Sequence, residues 1–102
     1  MGDDGHTASI FAGPDLDDAL NAPKARRAVG VLPDPMPADA PVPRVTLTRS
    51  SILAAKTLLI TIRGQAKRDL LKQAIEDGHS SKVPIGRVLA ECEQPIDIHW
   101  CP

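Results

Sequence analysis

The chain has 102 residues, a formal net charge of −1, 42% hydrophobic residues and two cysteines, which limits it to one domain. Near-neutral charge argues against general binding to nucleic acid or to a membrane surface, and no apolar run approaches the ~20 residues of a membrane span. Phe11 and Trp100 are the only aromatics, so Leu, Ile, Val and Ala must build the core, as in helices packed on a mostly buried sheet.

Residues 1–13 read as a loop containing Asp4-Gly5-His6, running into a short helix or turn. Residues 14–27 are expected to hold one helical turn around Asp15-Leu16-Asp17-Asp18-Ala19-Leu20 and end in basic Lys24, Arg26 and Arg27. Ala28 to Leu32 is a short apolar run closed by Pro33, which predicts a strand. Residues 33–43 contain five of the ten prolines and form an extended loop, because proline suits neither a helix interior nor a central strand. Arg44 to Thr48 alternates and predicts a strand. Thr48, Ser50 or Ser51 then caps a short helix through residues 52–55. Thr57 to Ile62 is apolar on both faces, the pattern of a buried central strand, and Gly64 breaks it. Ala66, Leu70, Leu71, Ala74 and Ile75 make a helical stripe over residues 65–77, stopped by Gly78. Pro84 to Leu89 predicts another short helix with proline in its first turn, and Ile96 to Trp100 a closing strand. This alternation implies an α/β fold with a largely parallel sheet.

Charge is uneven along the chain. Residues 1–20 carry five aspartates and no Lys or Arg, whereas residues 44–72 carry seven Lys or Arg residues and one acid. The basic half suits a small anion, or is simply a solvated face. Cys92 and Cys101 form no CxxC pair and are expected as free thiols in a reducing, cytoplasmic setting. The acidic start lacks the pattern of a signal peptide.

Three places can carry chemistry. The unperturbed pKa of histidine lets His6 take a proton from water near neutral pH, with Asp4 orienting the ring. The same triplet also fits an exposed loop histidine beside an unrelated acid. At the strand–Gly64–helix junction, Lys67 and Arg68 fall in the first helical turn, where cations are mildly unfavourable unless an anion shares the site. Arg44 begins a strand after the proline-rich loop, where a guanidinium can grip phosphate or carboxylate, or lie on the surface. His79 and His99 read as structural or solvent-facing.

The segments Met-Gly-x-Asp-Gly-His-Thr-Ala-Ser-Ile-Phe, Pro-Arg-Val-Thr-Leu-Thr and Ile-x-Gly-x-x-Lys, in this order, resemble the 6-phosphogluconolactonases of the glucosamine-6-phosphate isomerase/6-phosphogluconolactonase superfamily. The likeness covers nearly the whole chain. It implies a three-layer, Rossmann-like α/β sheet with flanking helices, of which residues 1–102 are the carboxyl-terminal part. It further implies hydrolysis of 6-phospho-D-glucono-1,5-lactone to 6-phosphogluconate in the pentose phosphate pathway. His6 matches the general base, Asp4 its companion acid, and Arg44 and Lys67, beside Gly64, the grip on the substrate's phosphate. The resemblance implies a small phosphosugar lactone as the one partner, and no metal or organic cofactor. The deaminases of the superfamily carry a glutamate five residues beyond the histidine. Phe11 stands there, and a hydrocarbon ring cannot shuttle protons, so deaminase chemistry is disfavoured.

The family's chains are about twice as long, and their amino-terminal half supplies a Ser/Gly-rich phosphate loop and an Asp-x-Arg-like segment absent from this sequence. Met1 coincides with a methionine often found within the family's Gly-Met-Gly. The expectation is therefore a carboxyl-terminal piece, ending naturally at Trp100-Cys101-Pro102, whose first supporting strand is lost. Such a piece is either part of the lactonase or a catalytically silent phosphosugar- or partner-binding module. A deaminase or isomerase remains the third alternative.

Overall fold

The computed structural model describes residues 1–102. Its elements are α1 (Leu16–Asn21), β1 (Ala28–Val31), β2 (Arg44–Leu47), α2 (Arg49–Leu53), β3 (Leu58–Arg63), α3 (Gln65–Asp77), a 3₁₀ turn at Gly78–Ser80, α4 (Pro84–Ala90) and β4 (Ile96–Cys101). The expected order of strands and helices is present. The 3₁₀ turn after Gly78 was not foreseen.

Helix boundaries follow local chemistry. Asp17 and Asp18 lie in the first turn of α1, where negative charge complements the helix dipole. Thr48 caps α2, its Oγ1 accepting from the Ser51 N–H. Gly78 ends α3 at φ +56°, a left-handed conformation that favours glycine. Pro84 opens α4, where its missing N–H costs nothing.

The strands form two separate two-stranded sheets rather than one largely parallel sheet. β1 and β2 are antiparallel, with Val29 opposite Thr46 and Val31 opposite Arg44. β3 and β4 are parallel, with Leu58 opposite Ile96 and Ile62 opposite Trp100. The direction of each pair follows from its connection. A parallel pair needs a long crossover, usually through a helix. The chain supplies α3 and α4 between β3 and β4 but only the proline-rich loop between β1 and β2. The expectation of a central, doubly buried β3 also fails. β3 pairs with β4 alone, and Leu59 is 62% exposed.

Two apolar clusters hold the fold together. Ile10, Ala19, Leu20, Val29, Val31 and Val88 form one; Ile62, Leu71, Ala74, Ile85 and Leu89 form the other. Helix α4 joins them, contributing Val88 to the first and Ile85 and Leu89 to the second. Each fully buried aliphatic side chain contributes about 1.5–3 kcal/mol, so this seven-residue helix carries a large share of the cohesion. Its approach to α3 depends on Gly86: a Cβ there would lie 2.7 Å from the Ala74 carbonyl oxygen and 2.3 Å from Ser81 Oγ.

Candidate active site

The loop of residues 1–11 is tied down at several points, and its support comes from α4 and β2. The Gly2 N–H donates to the His6 carbonyl at 2.9 Å, and the Gly5 N–H to the Gly2 carbonyl at 3.1 Å. Gly5 adopts φ +82° and is buried, and its carbonyl accepts from the Ile85 N–H at 2.9 Å. The backbone thus lies against the first turn of α4, where a Cβ on Gly5 would sit 2.6 Å from the Val83 Cβ. Further along, the Ser9 N–H donates to Thr46 Oγ1 on β2 at 2.9 Å, and Ile10 is completely buried. Between these anchors His6 stays partly exposed.

Asp4 fixes the imidazole. Its Oδ1 accepts from the His6 backbone N–H at 3.0 Å and lies 2.5 Å from His6 Nδ1. Partial burial pushes the Asp4 carboxyl up. The His6 backbone N–H, the ring N–H and the imidazole's charge together outweigh it and hold the group below the usual aspartate value. An ionised carboxylate has no proton to give, so Nδ1 carries the hydrogen and Nε2 is the nitrogen that can take one. Gly2 makes room for the ring, since a Cβ there would lie 2.1 Å from His6 Cε1.

The two other basic candidates reach the same loop from different elements. Arg44, at the start of β2, places its guanidinium 4.7 Å from the Phe11 ring centroid and donates to the Ala40 carbonyl. Phe11 stacks on His6, with ring centroids 4.2 Å apart and an interplanar angle of 26°. Lys67, in the first turn of α3, lies 3.6 Å from Asp3 Oδ1. Contacts therefore run from Lys67 through Asp3 and Asp4 to His6, Phe11 and Arg44.

Gly64 precedes α3 at φ +92°, and nothing lies within 4 Å of where its Cβ would be. Its N–H donates to the Cys101 carbonyl at 2.9 Å. Its carbonyl accepts from Trp100 Nε1 at 2.8 Å, and Arg68 packs its guanidinium 4.4 Å from the Trp100 ring. The end of β4 thereby sets the direction of the α3 amino terminus. Sequence reasoning missed the Asp3–Lys67 contact, the Phe11 stack and the Trp100 bond. The scarcity of aromatics was the one available signal for the last two.

Other features lie apart. A cavity of about 720 Å³ includes Lys24, Arg27, Arg49, Glu91 and Glu93 but none of the residues above. His79 pairs with Glu91 at 3.4 Å in an exposed position, His99 faces outward from β4, and both cysteines are free. No three His, Cys, Asp or Glu side chains converge as a metal-binding group. No helix is long and apolar enough to cross a membrane.

Comparison with known proteins gives this geometry a context. The family model for glucosamine-6-phosphate isomerases/6-phosphogluconolactonase matches residues 1–100. A 6-phosphogluconolactonase of Rhizobium meliloti is 39% identical over the whole chain, which covers 43% of that protein. One from Pseudomonas putida is 35% identical, with 40% of its length covered. Among solved structures, a 6-phosphogluconolactonase from Shewanella baltica superposes with a TM-score of 0.75 at 33% identity, covering 98% of this chain and 41% of that one. The chain thus spans about two fifths of the length of the relatives it matches, and over that span it belongs to the glucosamine-6-phosphate isomerase/6-phosphogluconolactonase family.

Proposed function

We propose that the chain carries the base and part of the phosphate grip of a 6-phosphogluconolactonase. The observation that carries this reading is the Asp4–His6 pair, which leaves Nε2 available on a loop also reached by Arg44 and Lys67. In the proposed reaction, His6 Nε2 takes a proton from water as the water oxygen attacks the lactone carbonyl carbon. The bond from that carbon to the ring oxygen then breaks. The imidazolium returns its proton to the departing oxygen, which becomes a hydroxyl of 6-phosphogluconate. Asp4 stabilises the imidazolium while it lasts. Arg44 and Lys67 supply positive charge for the 6-phosphate, and the amino terminus of α3 after Gly64 adds backbone N–H groups.

Freshly prepared 6-phosphogluconolactone tests this reading. The protein is expected to accelerate its hydrolysis, and His6→Ala to lower the rate by about 10²–10⁴-fold, the usual contribution of a positioned base. Equal rates from the two proteins would remove His6 from the mechanism.

A second reading is phosphosugar binding without turnover, which the partly exposed Lys67 at the α3 amino terminus would serve without His6 acting as a base. It predicts amide shifts at Gly64 and Lys67 when 6-phosphogluconate is titrated in, with no acceleration of lactone hydrolysis. The deaminase reading is disfavoured by Phe11 at the glutamate position, and ammonia released from glucosamine-6-phosphate would revive it.

A further inference from the structure

We infer that Phe11 is a positioning residue for the reaction proposed above: its ring braces the His6 imidazole and couples it to Arg44. The inference rests on the assignment of His6 as base and Arg44 as a phosphate ligand, and adds a role for the side chain between them.

Three contacts define the position of the imidazole. Asp4 holds Nδ1 at 2.5 Å. The bare Cα of Gly2 leaves room that any Cβ would fill, 2.1 Å from Cε1. Phe11 lies along the ring face at 4.2 Å and 26°. A hydrogen bond at one nitrogen fixes a distance but leaves the ring free to swing about it. A stacked neighbour removes that freedom, because leaving the stack forfeits the contact of an entire face. Phe11 is itself held by the backbone, since Ile10 beside it is completely buried and bridges to Thr7.

The same ring meets the Arg44 guanidinium at 4.7 Å, within the range where a cation is attracted to an aromatic face. His6 and Arg44 come from different elements, and both rest on the Phe11 ring. Phe11 sets their separation, which a substrate spanning its reacting carbon and its phosphate must match. Misplacing such groups by about 1 Å can cost ~100-fold in rate. A residue of similar size without a π-face would fill the space but lose both contacts.

The test uses Phe11→Leu, Phe11→Tyr and Arg44→Met, with the His6 ring resonances read by NMR. In the unaltered protein the His6 ring protons are expected upfield, shielded by the Phe11 ring. Phe11→Leu should move them downfield, and Phe11→Tyr should restore them. Arg44→Met, a half-buried position at the start of β2, should shift them through the loosened Phe11 ring, and remains informative if Phe11→Leu fails to fold. In the hydrolysis assay, Phe11→Leu is expected to lower kcat by about 10- to 100-fold, with Phe11→Tyr close to the parent. Unmoved His6 resonances in Phe11→Leu and Arg44→Met would overturn the proposal. If the resonances move but neither the parent nor any variant hydrolyses the lactone, the bracing of His6 stands and the lactonase reading falls.

Discussion

One oxygen, Asp4 Oδ1, holds His6 at two points: the backbone N–H at 3.0 Å and ring Nδ1 at 2.5 Å. The carboxylate therefore fixes both the course of the chain and the direction of the ring, and the two residues form a closed unit within a single turn of loop.

This unit has a defined pH response. The folded loop favours the carboxylate, so folded Asp4 binds its proton less tightly than the unfolded chain does. Its contribution to stability is complete above the ordinary aspartate value of about 3.9 and is lost as the pH falls through the lowered folded value. Following the Asp4 carboxyl carbon by NMR should give a midpoint below about 3.9. The His6 amide should shift with the same midpoint, and Asp4→Asn should abolish that step. A midpoint at or above the ordinary value would contradict the pairing.

Gly2 and Gly5 separate site geometry from stability. Alanine at Gly5 must hold φ +82° and place its Cβ 2.6 Å from the Val83 Cβ. The left-handed conformation costs about 1–2 kcal/mol and overpacking about 1–3 kcal/mol more. Thermal unfolding of Gly5→Ala should show a drop of roughly 10 °C or more. Alanine at Gly2 first meets the movable His6 ring, 2.1 Å away at Cε1. Gly2→Ala should unfold within a few degrees of the parent and, on the proposed mechanism, lower lactone hydrolysis because the imidazole is turned off Asp4. A stable Gly5→Ala, or a fully active Gly2→Ala, would contradict this division.

What could be read from the sequence was what is local. Asp4 and His6 are two residues apart on a glycine-bearing loop, so their pairing was visible as one of two readings. Gly64 followed by the Leu70, Leu71 and Ala74 stripe gave the strand–helix junction, and Gly78 gave its end. The contacts of Phe11 with Arg44 and of Trp100 with Gly64 join residues far apart in sequence, and no local periodicity encodes them. The antiparallel pairing of β1 with β2 was written in the connection lengths rather than in the strands. An apolar β3 looked central because composition reports burial preference, whereas the number of neighbouring strands is set by the rest of the fold. Leu59 on the outer face is where the two diverge.

Thr48 is a buried polar side chain with several obligations. It is completely buried. Its Oγ1 donates to the Arg26 carbonyl at 2.9 Å and accepts from the Ser51 N–H at 3.3 Å, tying α2 to the segment before β1. Thr48→Val keeps the shape, removes the cap and withdraws the donor to Arg26. Urea unfolding should show a loss of about 1–3 kcal/mol, with Thr48→Ser nearer the parent. A Val variant as stable as the parent would mean that water replaces both bonds.

Trp100 offers the corresponding test at the α3 amino terminus. The Gly64 carbonyl accepts from Trp100 Nε1 at 2.8 Å and from the Arg68 N–H at 3.3 Å, while Arg68 also packs on the indole. Trp100→Phe keeps an aromatic face for Arg68 but removes the N–H. Its cost should be that of one hydrogen bond, about 0.5–1.5 kcal/mol, and Trp100→Leu should cost more because the cation–π contact goes too. If the first turn of α3 receives the phosphate, both variants should also weaken the response of the Gly64 and Lys67 amides to 6-phosphogluconate, with Phe the milder. Unchanged stability and unchanged titration in Trp100→Phe would mean that the Cys101 carbonyl alone, through the Gly64 N–H, directs this helix.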